Sequence, residues 1–209
     1  MTREQMSSIT SLRSFVNDMT RLVERSGDDE VAIRGDGGAM LQKLVASDDW
    51  LPEICALPDP ASYRQYLIWC DPLERFSVVS FVWGPGQTTP VHDHTVWGLI
   101  GMLRGAEDGV AYAPGDAAGQ PMQKISEERL IPGQIAAVSP TIGDIHTVSN
   151  ALEDKVSISV HVYGANIGAV ARHVYDRDTG TPKDFVSGYS NEVMPNLFDR
   201  SADVRAALG

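Results

Sequence analysis

Cysteine is scarce in this chain. Its 209 residues hold two, Cys55 and Cys70, with no CxxC pair, which excludes a disulfide framework and a thiolate-bound metal cluster. Positive charge is also short: 17 Lys and Arg against 28 Asp and Glu leave a net charge of −11. Nucleic acid and anionic membrane surfaces both require a basic footprint, so neither is an expected partner. No run of about 18 apolar residues offers a membrane span, and the opening MTREQMSSIT lacks the apolar stretch of an export signal. The expectation is a cytoplasmic, reducing setting in which both thiols serve packing. Internal repeats of 20–50 residues and low-complexity tracts are absent too, which excludes a solenoid.

The composition that remains, 43% apolar and 22% charged, is that of a globular protein, and the length suits one well-buried core. In the first part, Leu12, Phe15, Val16, Met19, Leu22 and Val23 recur at helical spacing, and Ser26-Gly27 ends that helix. Met40, Leu41, Leu44 and Val45 form a second stripe, and Trp50, Leu51 and Ile54 a short third. At Pro58-Asp59-Pro60 the pattern becomes extended. Runs at 63–70, 75–83, 96–105, 109–113, 122–131, 133–140, 145–150 and 156–164 are rich in β-branched and aromatic residues, and Gly, Pro and Asp separate them. Many short strands without intervening helices predict an antiparallel sandwich or barrel. The expected organisation is a single domain, 1–209: a helical extension over about 8–57, a mainly β barrel over about 61–175, and an irregular tail over 176–209.

Histidine is rare as well, but its five copies all fall between positions 92 and 173. In VHDHT, if the segment is a strand, His92 and His94 point to one face and can grip one metal ion. His146 follows in GDIHTVSN. In VSISVHVYG, Ser159, His161 and Tyr163 alternate with Ile158, Val160 and Val162; periodicity alone reads this as a half-buried strand with its polar face to solvent. Three imidazoles suit zinc, copper, iron or nickel. Zinc with one water would make a hydrolytic centre.

The spacing Gly86, His92, His94, Gly98, Gly105, followed by Pro140, Gly143, His146, Asn150, resembles the two signature motifs of the cupin superfamily. That resemblance implies a small, jelly-roll-like β-barrel with His92, His94 and His146 as metal ligands. Two departures stand out: Gly98 takes the place of a common glutamate ligand, and the second motif carries one extra residue before its proline. With Ser159, His161 and Tyr163 after the third ligand, and a Tyr-x-Gln strand start at Tyr63 and Gln65, the chain is similar to the thiol dioxygenases, the family of cysteine dioxygenase.

The resemblance implies that the three histidines hold Fe(II), and that a small thiol carboxylate reacts there with O₂ to give a sulfinic acid. Ser159, His161 and Tyr163 would form a hydrogen-bonded row beside the metal. Gly98 also stands where animal members carry a cysteine cross-linked to the tyrosine, so Tyr163 is expected to be unmodified. Gln65 replaces the carboxylate-binding Arg of cysteine dioxygenase, Arg64 points the other way, and Arg172 matches the Arg of bacterial 3-mercaptopropionate dioxygenases. The expected substrate is therefore 3-mercaptopropionate, bound by Arg172, Gln65 and Tyr63. Cysteine dioxygenase, a metal-dependent cupin isomerase or hydrolase on a non-thiol substrate, and a non-catalytic ligand-binding cupin are the alternatives. Trp97, next to the first motif, is expected in the core.

Overall fold

The structure, a computed structural model, describes residues 3–191 and 201–208. The chain begins with α1 (Arg3–Ser26) and α2 (Glu30–Val45). Asp29 caps α2 by accepting from the Ala32 N–H at 3.1 Å. The second helix thus starts well before the apolar stripe at 40–45, and its GDGG run is helical despite the poor propensity of glycine. Tertiary packing compensates: a Cβ on Gly37 would lie 3.1 Å from Leu99 and 3.3 Å from the Met19 sulfur, so its absence lets α2 approach both α1 and the sheet. The third stripe forms a 3-10 turn, Glu53–Ala56, behind the buried Trp50.

The strands follow as β1 (Arg64–Cys70), β2 (Ser77–Trp83), β3 (Val91–His92), β4 (Gly98–Arg104), β5 (Glu107–Ala113), β6 (Gln123–Leu130), β7 (Ile135–Val138), β8 (His146–Asn150), β9 (Ser157–Tyr163), β10 (Arg172–Tyr175) and β11 (Pro182–Phe185). They form two antiparallel sheets, ordered β1-β2-β9-β4-β7 and β11-β10-β3-β8-β5-β6, which make the barrel that the strand runs predict. The 176–209 segment departs from its expected irregularity. It contributes β11, paired with β10, and a last helix, α3 (Ser201–Leu208). These elements are short and weakly periodic, and β11 exists because β10 offers it an edge.

The core has two layers. Ile158, Val160 and Val162 of β9, with Val78 and Val82 of β2, meet Met19, Leu22, Leu41 and Leu44 of the two helices. On the other face, Val79, Phe81, Trp83 and Tyr163 fill the barrel. Strands β2 and β9 are therefore buried on both faces. The solvent-facing reading of Ser159, His161 and Tyr163 is corrected here: α1 and α2 already cover the aliphatic face, so the polar one points inward. Trp97 packs with the helical layer, its indole over Gly164, and is core as expected. Cys55 and Cys70 are free and buried, and burial raises both thiol pKa values, that of Cys70 to about 12.

Candidate metal centre

His92 lies in β3, directly across from His146 on β8. His94 lies beyond the end of β3, so the same-face argument for a continuous strand does not hold. A turn does the work instead: Thr95 takes the left-handed region at φ 59°, and the Asp144 carboxylate accepts from the His94 and Thr95 backbone N–H groups at 3.1 and 3.0 Å. The motif glycines Gly86 and Gly143 also have positive φ, 72° and 104°, which favours glycine there. Asn150 closes the second motif by donating to the carbonyls of Trp83 and Lys155 at 3.0 and 2.8 Å.

These three histidines converge: their candidate ligand nitrogens all lie within 4.8 Å of one another, and all three residues are buried. His92 Nδ1 lies 3.1 Å from the Pro90 carbonyl and His94 Nδ1 3.1 Å from the Asp144 carbonyl. A carbonyl only accepts, so each Nδ1 carries the proton and each Nε2 presents its lone pair. Burial holds His92 and His94 well below the usual histidine range, and takes His146 to about 4, aided by the positive charge of Arg172. The imidazoles are thus neutral at physiological pH, the form that ligates metal. Nε2 of His94 and of His146 is buried without a hydrogen-bond partner. Orphaned buried nitrogens are costly in a protein interior, and a divalent metal would satisfy them. The donor set fits such an ion.

Ser159, His161 and Tyr163 form a hydrogen-bonded row. Ser159 Oγ lies 2.8 Å from His161 Nε2, and His161 Nδ1 lies 2.8 Å from Tyr163 Oη. Trp83 Nε1 donates to Ser159 Oγ at 3.3 Å, the Phe81 ring lies 4.3 Å from that of His161, and Tyr163 stacks on His94 at 5.3 Å. The row therefore ends against a candidate ligand. Burial raises the Tyr163 pKa above its usual value and lowers that of His161 to about 3, so both are neutral hydrogen-bonding groups.

Gly98 lies across from Tyr163 in the β4–β9 register. A Cβ there would sit 2.9 Å from both the Tyr163 ring and the Val138 side chain, tighter than real contacts allow. No longer side chain is accommodated there without displacing Tyr163.

Arg172, at the start of β10, is 4% exposed. Its Nη2 donates to Ser187 Oγ at 2.8 Å, its guanidinium lies 5.2 Å from the Phe185 ring centroid, and its Nε has no partner. Its charge acts on all three histidines and favours ionisation of Tyr63 and Tyr163. Gln65 Nε2 donates to Ser187 Oγ at 3.2 Å and to the Gly188 carbonyl at 3.1 Å. The amide N–H groups are thus engaged by the chain segment after β11. Tyr63 stands on the same side, its ring 4.7 Å from Trp83 and 6.1 Å from Phe81. Arg64 pairs instead with Asp59.

Sequence reasoning passed over four residues at this site. Asp93 accepts from the His173 backbone N–H and the Tyr175 hydroxyl, both at 2.8 Å, and fastens β10 beside β3. Asp144 positions His94, Ser187 joins Arg172 to Gln65, and Glu107 lies buried near Ser159. Of these, Asp93 is the one the sequence marks, because it stands between the two histidines of HDH.

The fold and the three-histidine centre together define a cupin-like β-barrel with a candidate metal site. The chain belongs to the cysteine dioxygenase type I family, whose model matches residues 10–177. Cysteine dioxygenase type 1 of rat and that of mouse are each 28% identical to it over 107 residues, 51% of this chain and 52% of theirs. The chain therefore spans about half the length of the curated relatives it matches. Among solved structures, a double-stranded β-helix protein from Klebsiella pneumoniae is 20% identical with a TM-score of 0.41, covering 56% of this chain and 89% of its own. A cupin protein from Desulfovibrio desulfuricans is 22% identical with a TM-score of 0.38, covering 52% and 89%.

Proposed function

We propose that this protein is a non-haem iron thiol dioxygenase that converts a small thiol carboxylate, 3-mercaptopropionate in preference to cysteine, to its sulfinic acid. The observation that carries this reading is the buried Arg172 beside three neutral histidines, with a guanidinium N–H left unpartnered. An Arg can hold a carboxylate through two parallel hydrogen bonds, and Gln65 on β1 cannot. A carboxylate held from β10 alone fits an acid without an α-amino group.

Both atoms of O₂ end on sulfur, so a thiolate and O₂ balance a sulfinate with no further co-reactant. His92, His94 and His146 would hold Fe(II), which would supply the chemistry by which O₂ reacts with a thiolate. Arg172 fixes the substrate carboxylate, with Tyr63 walling the same side and Gln65 bracing Ser187 behind the guanidinium. Tyr163 presents its hydroxyl toward the reacting atoms, His161 orients that hydroxyl, and Ser159 holds His161. Two free, buried thiols suit a reducing compartment such as the cytoplasm.

Cysteine itself is the second reading, favoured by the family and by the rat and mouse relatives. Oxygen uptake by Fe(II)-loaded protein, with metal content measured on the same sample, separates the two. Higher kcat/KM for 3-mercaptopropionate supports the assignment and higher kcat/KM for cysteine reverses it. Silence with both thiols in fully loaded protein overturns the dioxygenase reading.

A further inference from the structure

Glu107 is the first residue of β5 and is 1% exposed. Neither carboxyl oxygen has a hydrogen-bond partner. The polar groups acting on it are the Ser159 hydroxyl and the Trp83 indole N–H, close enough to favour its charged form but outweighed by burial, which pushes its pKa up to about 8. A cavity of about 30 Å³ lies beside it, lined also by His146, Glu128, Val148, Val138 and Leu130. That is enough room for a water molecule. A buried carboxyl without partners is costly and calls for an explanation, and nothing in the proposed reaction so far uses it.

We propose that Glu107 is a positioning residue that sets the direction of the hydrogen bonds along Ser159, His161 and Tyr163, and thereby decides whether the Tyr163 hydroxyl proton points into the metal site or back toward His161. This rests on the reading of that row as the arm that presents Tyr163 to the substrate. Counting donors and acceptors gives two self-consistent states, because Trp83 Nε1 always donates to Ser159 Oγ and a hydroxyl has one proton to give. With Glu107 neutral, the Ser159 hydroxyl donates to His161 Nε2. The His161 proton then sits on Nδ1 and is donated to Tyr163 Oη, and the Tyr163 proton is free to point into the site. With Glu107 ionised, the Ser159 hydroxyl turns to the carboxylate. His161 then carries its proton on Nε2, donated to Ser159 Oγ, and its Nδ1 accepts from Tyr163. Each change moves one proton to solvent and shifts the His161 proton between its two nitrogens.

The charge of Glu107 is felt along the row, where it opposes ionisation of Tyr163. Its surroundings contain few competitors. Glu128 on β6, which is exposed, and His146 on β8 line the shared cavity. On β9 the titratable groups are His161 and Tyr163, while β4 and β7 present only Ile100, Ala136 and Val138 to the cavity.

The test uses the full chain loaded with zinc, which is diamagnetic, and nitrogen-15 labelling of histidine. Ring-nitrogen shifts of His161, assigned by difference with His161→Gln, report its tautomer directly and independently of turnover. The expected result is Nδ1–H at pH 6.5 and Nε2–H at pH 9.5 in the wild type, with one pH-independent tautomer in Glu107→Gln. The infrared band of a protonated buried carboxyl should be present at pH 6.5 and missing in Glu107→Gln. In the Fe(II) enzyme, kcat should fall severalfold between pH 7 and 9, and that step should vanish in the variant. A wild-type tautomer that does not change across this range overturns the proposal, even if thiol oxidation is intact. Conversely, a tautomer switch in a protein that oxidises neither thiol sustains the role of Glu107 and overturns only the dioxygenase reading. The wild-type titration needs no variant, so a folding defect in Glu107→Gln does not obscure the outcome.

Discussion

Tyr163 illustrates how much one residue of this barrel is constrained by its neighbours. Its hydroxyl is tied to His161, its ring stacks on His94, and its flank presses on Gly98. Removing only the hydroxyl leaves the ring contacts in place. Tyr163→Phe should therefore keep its metal content, measured on the purified protein, while kcat falls about 10- to 100-fold, the worth of one hydrogen bond to a charged group. An unchanged kcat would remove Tyr163 from the proposed mechanism. Gly98 works at the same scale in the opposite sense. What it lacks makes room for the tyrosine ring, so one position accounts for both the missing carboxylate ligand and the absence of a thiol beside Tyr163.

At the scale of elements, the decisive arrangement is β9 held between two layers. Its aliphatic side rests on α1 and α2, and this drives its polar side into the barrel, where hydrogen bonding must satisfy it. Leu41 lies at the centre of the helical layer, fully buried. Leu41→Ala should cost about 2–5 kcal/mol of stability through lost burial and the cavity left behind, measurable by chemical denaturation. Activity per folded molecule should change little, because the site is on the far face of the sheet. A large loss of kcat at preserved stability would show that α2 does more than support the barrel. Strand β10 is the other element that matters, since it pairs with β3 next to His92, carries Arg172 at its start and is itself held by Asp93.

For the molecule as a whole, three neutral imidazoles gathered in the interior would link folding to the binding of a metal ion. An ion that binds only the folded state at 100 times its Kd adds about 3 kcal/mol, a rise in Tm of roughly 5–10 °C for a chain of this size. Metal-free protein should therefore melt lower than Fe(II)- or Zn(II)-loaded protein, and His94→Ala should melt at the same temperature with or without the ion. Calorimetry on the same preparations checks this, and equal melting of loaded and metal-free wild type would argue against a site at these histidines. Among the described residues no helix is long and apolar enough to cross a membrane.

What could be read from the sequence was local. Strand alternation placed Ser159, His161 and Tyr163 in one row, helical spacing located most of α1 and the end of α2, and the two motif spacings singled out His92, His94 and His146. The first two depend on neighbours a few residues away, where backbone geometry alone dictates direction; the three histidines stood out through the resemblance of their motifs. The tertiary structure decided which face of β9 turns inward, how His94 joins a site from outside β3, and which residues brace the rest. Asp144 reaches His94 across 50 residues of chain, and Ser187 reaches Gln65 across 122. Contacts at that range leave no periodic trace, because they arise when two sheets close around a shared interior. For the same reason Glu107, one glutamate among many in a strongly acidic chain, is distinguished only by its burial.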